Sequence, residues 1–196
     1  MDELDSILKV FNTTLDICDY QYFHQLLHNR TIIFNSEIDE NIIESVYLPL
    51  RDFEMDESKK PVTLLLNSPG GSVPDGFFVA DYLTKYSKPL NILVTGYAAS
   101  MAAILLAAGG KNDNITRLCY PSTYGLIHDG FVSLSPSESK TAGDVMNFNN
   151  RVDGQIRQFI IDNTNITEAD YDSHARHQWF LTSEEMLKYN LIDKIL

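Results

Sequence analysis

Only two cysteines, Cys18 and Cys119, occur in the 196 residues. That is too few for a disulfide scaffold and points to a reducing compartment. The first ten residues carry Asp2, Glu3 and Asp5 where a secretory leader would carry basic residues, so a cytoplasmic setting is expected. Long hydrophobic runs are missing too. The longest mostly apolar stretch, Ala98 to Ala108, is too short to span a bilayer. Positive charge is scarce, with 15 Lys and Arg against 27 Asp and Glu for a net charge of −12. Such a surface repels phosphate backbones and anionic headgroups, which argues against nucleic acid or membrane as partners. No Walker-type phosphate loop, internal repeat, low-complexity segment or Pro- or Ser-rich linker is present. Three Asn-x-Thr matches, at Asn12, Asn114 and Asn165, read as chance in this setting.

What remains is a globular composition, 44% hydrophobic and 21% charged, of a length that suits one domain. The patterning predicts a helix over Tyr20–Leu27, a strand over Thr31–Phe34 and a helix over Glu37–Leu48 that Pro49 closes or kinks. Arg51–Lys60 reads as a charged loop. Pro61–Asn67 and Leu90–Val94 are continuous apolar runs, the mark of buried parallel strands. A helix with Val73, Phe77, Ala80 and Leu83 on one face separates them. Thr95–Ala99 reads as a short turn and Ser100–Ala108 as a buried helix stopped by Gly109 and Gly110. Two short strands, Thr116–Tyr120 and Tyr124–His128, precede a polar loop and a long helix over about Thr141–Asn163. Thr182-Ser183-Glu184-Glu185 is a capping-box signature opening a last helix. Alternating strands and helices predict an α/β fold with crossover connections.

Three places could carry chemistry. Ser100 opens a helix directly after a buried strand, where free N–H groups and a partial positive charge collect. Taken alone it reads first as an N-cap, and the G-x-S-x-G elbow is absent because Ala98 and Ala102 stand in place of its glycines. Ser68-Pro69-Gly70-Gly71 ends another apolar strand. It is either an ordinary turn or a loop that points N–H groups at a ligand. His128 ends a third strand, as a general base or as a satisfied half-buried histidine. His174 and His177 come without an HExxH motif or a cysteine pair, so no metal site is expected. Together the three strand ends supply a nucleophile, a base and oxyanion donors, the parts list for acyl transfer.

The motifs Asn67-Ser68-Pro69-Gly70-Gly71-Ser72-Val73 and Gly96-Tyr97-Ala98-Ala99-Ser100-Met101-Ala102 resemble the proteolytic subunit family of the Clp protease (ClpP). Leu105-Ala107-Ala108-Gly109, Ile127-His128, Phe180–Glu185 and Tyr189–Ile195 extend the likeness over about Tyr20 to Leu196. The resemblance implies a ClpP/crotonase-like α/β fold of stacked ββα units with a protruding handle helix, the handle covering about 129–163. It implies an N-terminal arm over 1–19 and a peptidase domain over 20–196. It implies an ATP-dependent serine endopeptidase of protein quality control, built as heptameric rings stacked into a tetradecamer. Its substrates would be unfolded polypeptides, fed by an AAA+ unfoldase of the ClpX or ClpA type. ATP would act in that partner, and no cofactor is expected on this chain.

By the same resemblance Ser100 corresponds to the nucleophile, His128 to the base, and Gly71 and Met101 to the oxyanion-hole donors. The chain departs from the family at the third triad position, where Gln178 replaces the aspartate. Its carbonyl oxygen could hold the histidine tautomer but adds no negative charge, so slower cleavage is expected. Asp170 and Asp172 are the nearby carboxylates that could substitute. Thr63, Leu64, Leu65 and Leu66 stand where the family often has tyrosines that help dock the ATPase. Two rivals remain: a weakly active or non-catalytic subunit of a ClpP-type ring, and a crotonase-type acyl-CoA enzyme.

Overall fold

The computed structural model describes residues 24–129, 139–175 and 177–196. The expected arm over 1–19, the first residues of the helix expected over Tyr20–Leu27 and most of the polar loop expected over Asp129–Ser139 lie outside them.

The α/β class is observed. Strands β1 (Thr31–Phe34), β2 (Val62–Ser68), β3 (Leu90–Ala99) and β4 (Ile115–Cys119) form a parallel sheet in that order, and β7 (Lys194–Ile195) adds to its edge. β5 (Tyr124–Ile127) pairs with the end of β3 and, antiparallel, with β6 (Trp179–Thr182). Between β1 and β2 a π-helical turn (Ile43–Tyr47) leads into α1 (Leu48–Met55). Then come α2 (Val73–Leu83), α3 (Met101–Ala108), α4 (Ser139–Asn163), α5 (Glu168–His174) and α6 (Ser183–Lys188). The alternate residues Val62, Leu64 and Leu66 of β2 and Leu90, Ile92 and Val94 of β3 are buried. Every residue of α3 is buried as well, which is why its apolar composition has no polar face.

The structure corrects several expectations. Pro49 does not end a helix. It falls in the first turn of α1, directly after the π-helical turn, and helix runs on to Met55 into the expected charged loop. Thr95–Ala99 is not a turn but the continuation of β3. Its register with β2 slips between Leu66 and Ser68, from Leu66 opposite Val94 to Ser68 opposite Ala98. The Asn67 side chain fills that slip. Its Oδ1 accepts the Tyr97 N–H at 3.1 Å, and its Nδ2 donates to Asn35 Oδ1 at 2.6 Å. The bulge lets one strand pair first with β4 and then with β5, so the ends of β2, β3 and β5 meet.

α5 and β6 were not foreseen. α5 opens with a capping box in which Thr167 and Asp170 satisfy one another's backbone N–H groups. The box expected at Thr182 and Glu185 is present and opens α6. α4 divides by exposure. Ile156 and Ile160 join the core, whereas Val145, Met146 and Phe148 in its first half are exposed. The C-terminal segment is tied down by Arg117, which is 1% exposed. Its guanidinium donates to Asp193 Oδ1 at 2.5 Å, the Asn190 carbonyl at 2.6 Å and Asn190 Oδ1 at 2.7 Å.

Candidate functional site

A cavity of about 390 Å³ opens where these strand ends meet. Its wall includes Gly70, Gly71, Ser100, Met101, His128 and Glu37. Four of the five residues singled out from sequence thus share one cavity.

Ser100 lies between β3 and α3 with φ +54° and ψ −122°. Few L-residues adopt this conformation, and holding one there costs about 1–3 kcal/mol. It occupies the N-cap position, yet its side chain makes no cap hydrogen bond. The hydroxyl therefore does not do the work of a capping serine. The sharp turn is possible because Gly70 lies against it. A Cβ on Gly70 would sit 2.6 Å from the Ala99 carbonyl oxygen and 2.8 Å from the Met101 nitrogen. Gly70 itself has φ +91° and Gly71 has φ +145°, values that favour glycine. The buried Ser68 hydroxyl accepts the Gly70 N–H at 3.2 Å and shapes this loop.

Two N–H donors border the serine. Met101 begins α3, so its N–H has no acceptor one turn back, and the helix's partial positive charge lies there. Gly71 sits opposite Ile38, but the two bonds of that pairing use the Gly70 carbonyl and the Ser72 N–H. The Gly71 N–H stays out of the pairing.

His128 follows β5 and is half-buried. Its Nδ1 lies 2.5 Å from the Asp129 carbonyl oxygen. A carbonyl only accepts, so Nδ1 carries the hydrogen and Nε2 is left as the basic nitrogen. The Asp129 N–H in turn donates to the Ala175 carbonyl at 2.8 Å. Tyr171 of α5 is buried. Burial first, and then the charge of Asp129, push its hydroxyl well above the usual tyrosine range.

Gln178 is exposed, and among the described residues no hydrogen bond joins it to His128. β6 nevertheless carries it to the edge of the site. The paired register ends with Ile127 opposite Trp179, and His128 and Gln178 are the residues that flank that last pair. The two nearby carboxylates are occupied. Asp170 caps α5, and Thr167 holds its carboxyl below the usual range, while Asp172 accepts from Arg157 at 2.8 and 3.0 Å. His174 stacks on Trp179 with ring centroids 4.6 Å apart. Cys119 is buried, which pushes its thiol up, away from nucleophilic character.

Glu37, Asn67, Asp129 and Ala175 were missed as site or positioning residues. Asn67 stood inside a recognised motif. The other three come from segments with no catalytic signature and are assembled only by the tertiary pairing.

Among the described residues the arrangement has what acyl transfer requires: a hydroxyl on a strained turn, a histidine with one nitrogen free, and N–H groups outside the backbone pairing. The Clp protease family matches the chain over residues 16–196. A similar protein is the ATP-dependent Clp protease proteolytic subunit 1 of Bacillus cereus, 30% identical over 190 residues that cover 95% of each chain. Both findings agree with the motifs around Ser68 and Ser100 and with the mostly parallel sheet that carries them, and the chain belongs to the Clp protease family.

Proposed function

We propose that this chain is a serine endopeptidase subunit that cleaves unfolded polypeptides inside a ring chamber. Ser100 attacks the scissile carbonyl, and His128 Nε2 takes its proton and returns it to the leaving amine. The Gly71 and Met101 N–H groups receive the developing oxyanion. The observation that carries this reading is the Ser100 turn: a positive-φ serine at a helix start whose hydroxyl caps nothing, in one cavity with His128 and both donors.

In this reading subunits assemble as stacked heptameric rings, and an AAA+ unfoldase of the ClpX or ClpA type supplies the chains and hydrolyses the ATP. The exposed apolar residues of the first half of α4 support a subunit contact there. Gln178 supports a second reading, a weakly active or non-catalytic ring subunit, because no carboxylate stabilises the imidazolium at the third position.

Fluorophosphonate labelling with peptide mapping, together with hydrolysis of a fluorogenic peptide, tests the proposal. Modification of Ser100 and turnover abolished by Ser100→Ala are expected. Intact Ser100 after prolonged labelling would exclude the peptidase reading and leave the non-catalytic one.

A further inference from the structure

The cavity wall holds one carboxylate among the described residues, Glu37, and its position follows from the backbone. The Ile38 N–H donates to the Gly70 carbonyl at 2.7 Å, and the Ser72 N–H donates to the Ile38 carbonyl at 2.7 Å. These bonds clamp the Glu37–Ile38 segment against the Gly70–Ser72 loop. Ile38 is 1% exposed and points into the core. Extended backbone alternates sides, so Glu37 faces the other way, toward the cavity. A Cβ on Gly71 would lie 2.9 Å from Glu37 Cγ, which puts this side chain against the glycine whose N–H faces the reaction. The rest of the wall is mostly apolar, with Val73, Ile104, Ile127 and Ile156.

We infer that Glu37 sets a charge preference: the cleft favours polypeptides with a lysine or arginine next to the scissile bond and disfavours those with an acidic residue there. This deepens the peptidase reading and rests on it. A substrate segment reaching Ser100 must pass Gly71, and so passes the Glu37 carboxylate. A cleft walled by apolar groups concentrates the field of a single charge. A basic side chain gains attraction there, whereas an acidic one meets like-charge repulsion. The net charge of −12 acts in the same direction at longer range. Glu37 is exposed, so the preference weakens as salt shortens the screening length.

The test uses pairs of otherwise identical peptides with Lys or Glu flanking the cleaved bond. Hydrolysis is read on the full chain, and binding on Ser100→Ala by fluorescence anisotropy. We expect kcat/KM and affinity to favour the Lys peptide by about tenfold at low salt, a ratio worth about 1.4 kcal/mol. The ratio should fall to within about twofold in Glu37→Gln and reverse in Glu37→Lys. A ratio near one in the native chain, or one that survives Glu37→Gln, overturns the inference while Ser100 labelling upholds the peptidase reading. If Ser100 does not label, the peptidase reading fails, and the affinity ratio in Ser100→Ala still decides the charge preference.

Discussion

Replacing Ser100 by glycine should stabilise the folded chain although it removes the proposed nucleophile. The residue has φ +54°, and its side chain makes no cap bond. An L-residue held in so sparsely populated a region costs about 1–3 kcal/mol. Glycine removes that cost but adds freedom to the unfolded chain, worth about 0.5–1 kcal/mol in the opposite direction. The net gain is about 1 kcal/mol, or about 2–4 °C in Tm for a chain of this size. Ser100→Ala keeps the strained backbone and loses no cap bond, so it should unfold within about 0.5 kcal/mol of the native chain. An ordinary N-cap behaves in the reverse way, with alanine costing about 1 kcal/mol and glycine a few tenths. Thermal and urea unfolding of the three proteins at equal concentration distinguishes the cases, with loss of fluorophosphonate labelling as the control. Refutation would be an alanine variant weakened by about 1 kcal/mol together with a glycine variant no more stable than native.

Other predictions concern the third triad position and the C-terminal anchor. Gln178→Ala should change peptide turnover by less than about threefold, because the Asp129 carbonyl and not Gln178 accepts the His128 Nδ1 hydrogen. Gln178→Asp should raise turnover by about tenfold, because a carboxylate there adds the missing counter-charge for the imidazolium; no gain would count against residue 178 as the third position. Asp193→Ala leaves the buried Arg117 guanidinium without its counter-charge. Because the Asp193 side chain is 36% exposed, about 2–3 kcal/mol is expected rather than the full cost of breaking a buried pair, read as a drop in urea midpoint. At α6, hydrogen bonds from Thr182 hold the Glu185 carboxyl below the usual glutamate range. A depressed carboxyl stabilises above its unfolded pKa, so the stability gap between the native chain and Glu185→Gln should be present at pH 7, start to close as the pH falls into the usual glutamate range, and be lost only below the lowered pKa.

The sequence by itself determined the α/β class, the buried parallel strands, the capping box at Thr182 and the motif residues Gly71, Ser100, Met101 and His128. These were legible because local chemistry carries them: continuous apolar runs, glycines at a strand end, and a serine between a strand and an all-apolar helix. The tertiary structure decided what local pattern cannot encode. Thr95–Ala99 carries Gly96 and the small Ala98 and Ala99, yet it continues β3 because the Asn67 side chain bridges the register slip. Pro49 reads as a helix end until the π-helical turn before it places it in the first turn of α1. The Thr167–Asp170 box and the short β6 strand have little periodicity to announce them. Glu37 and Asp129 belong to stretches with no motif, and they reach the site through bonds to Gly70, Ser72 and Ala175 that are 32 to 46 positions distant in the chain. Such long-range backbone pairing is where a sequence read residue by residue stops, because the partner of a main-chain N–H is chosen by the fold and not by the side chain attached to it.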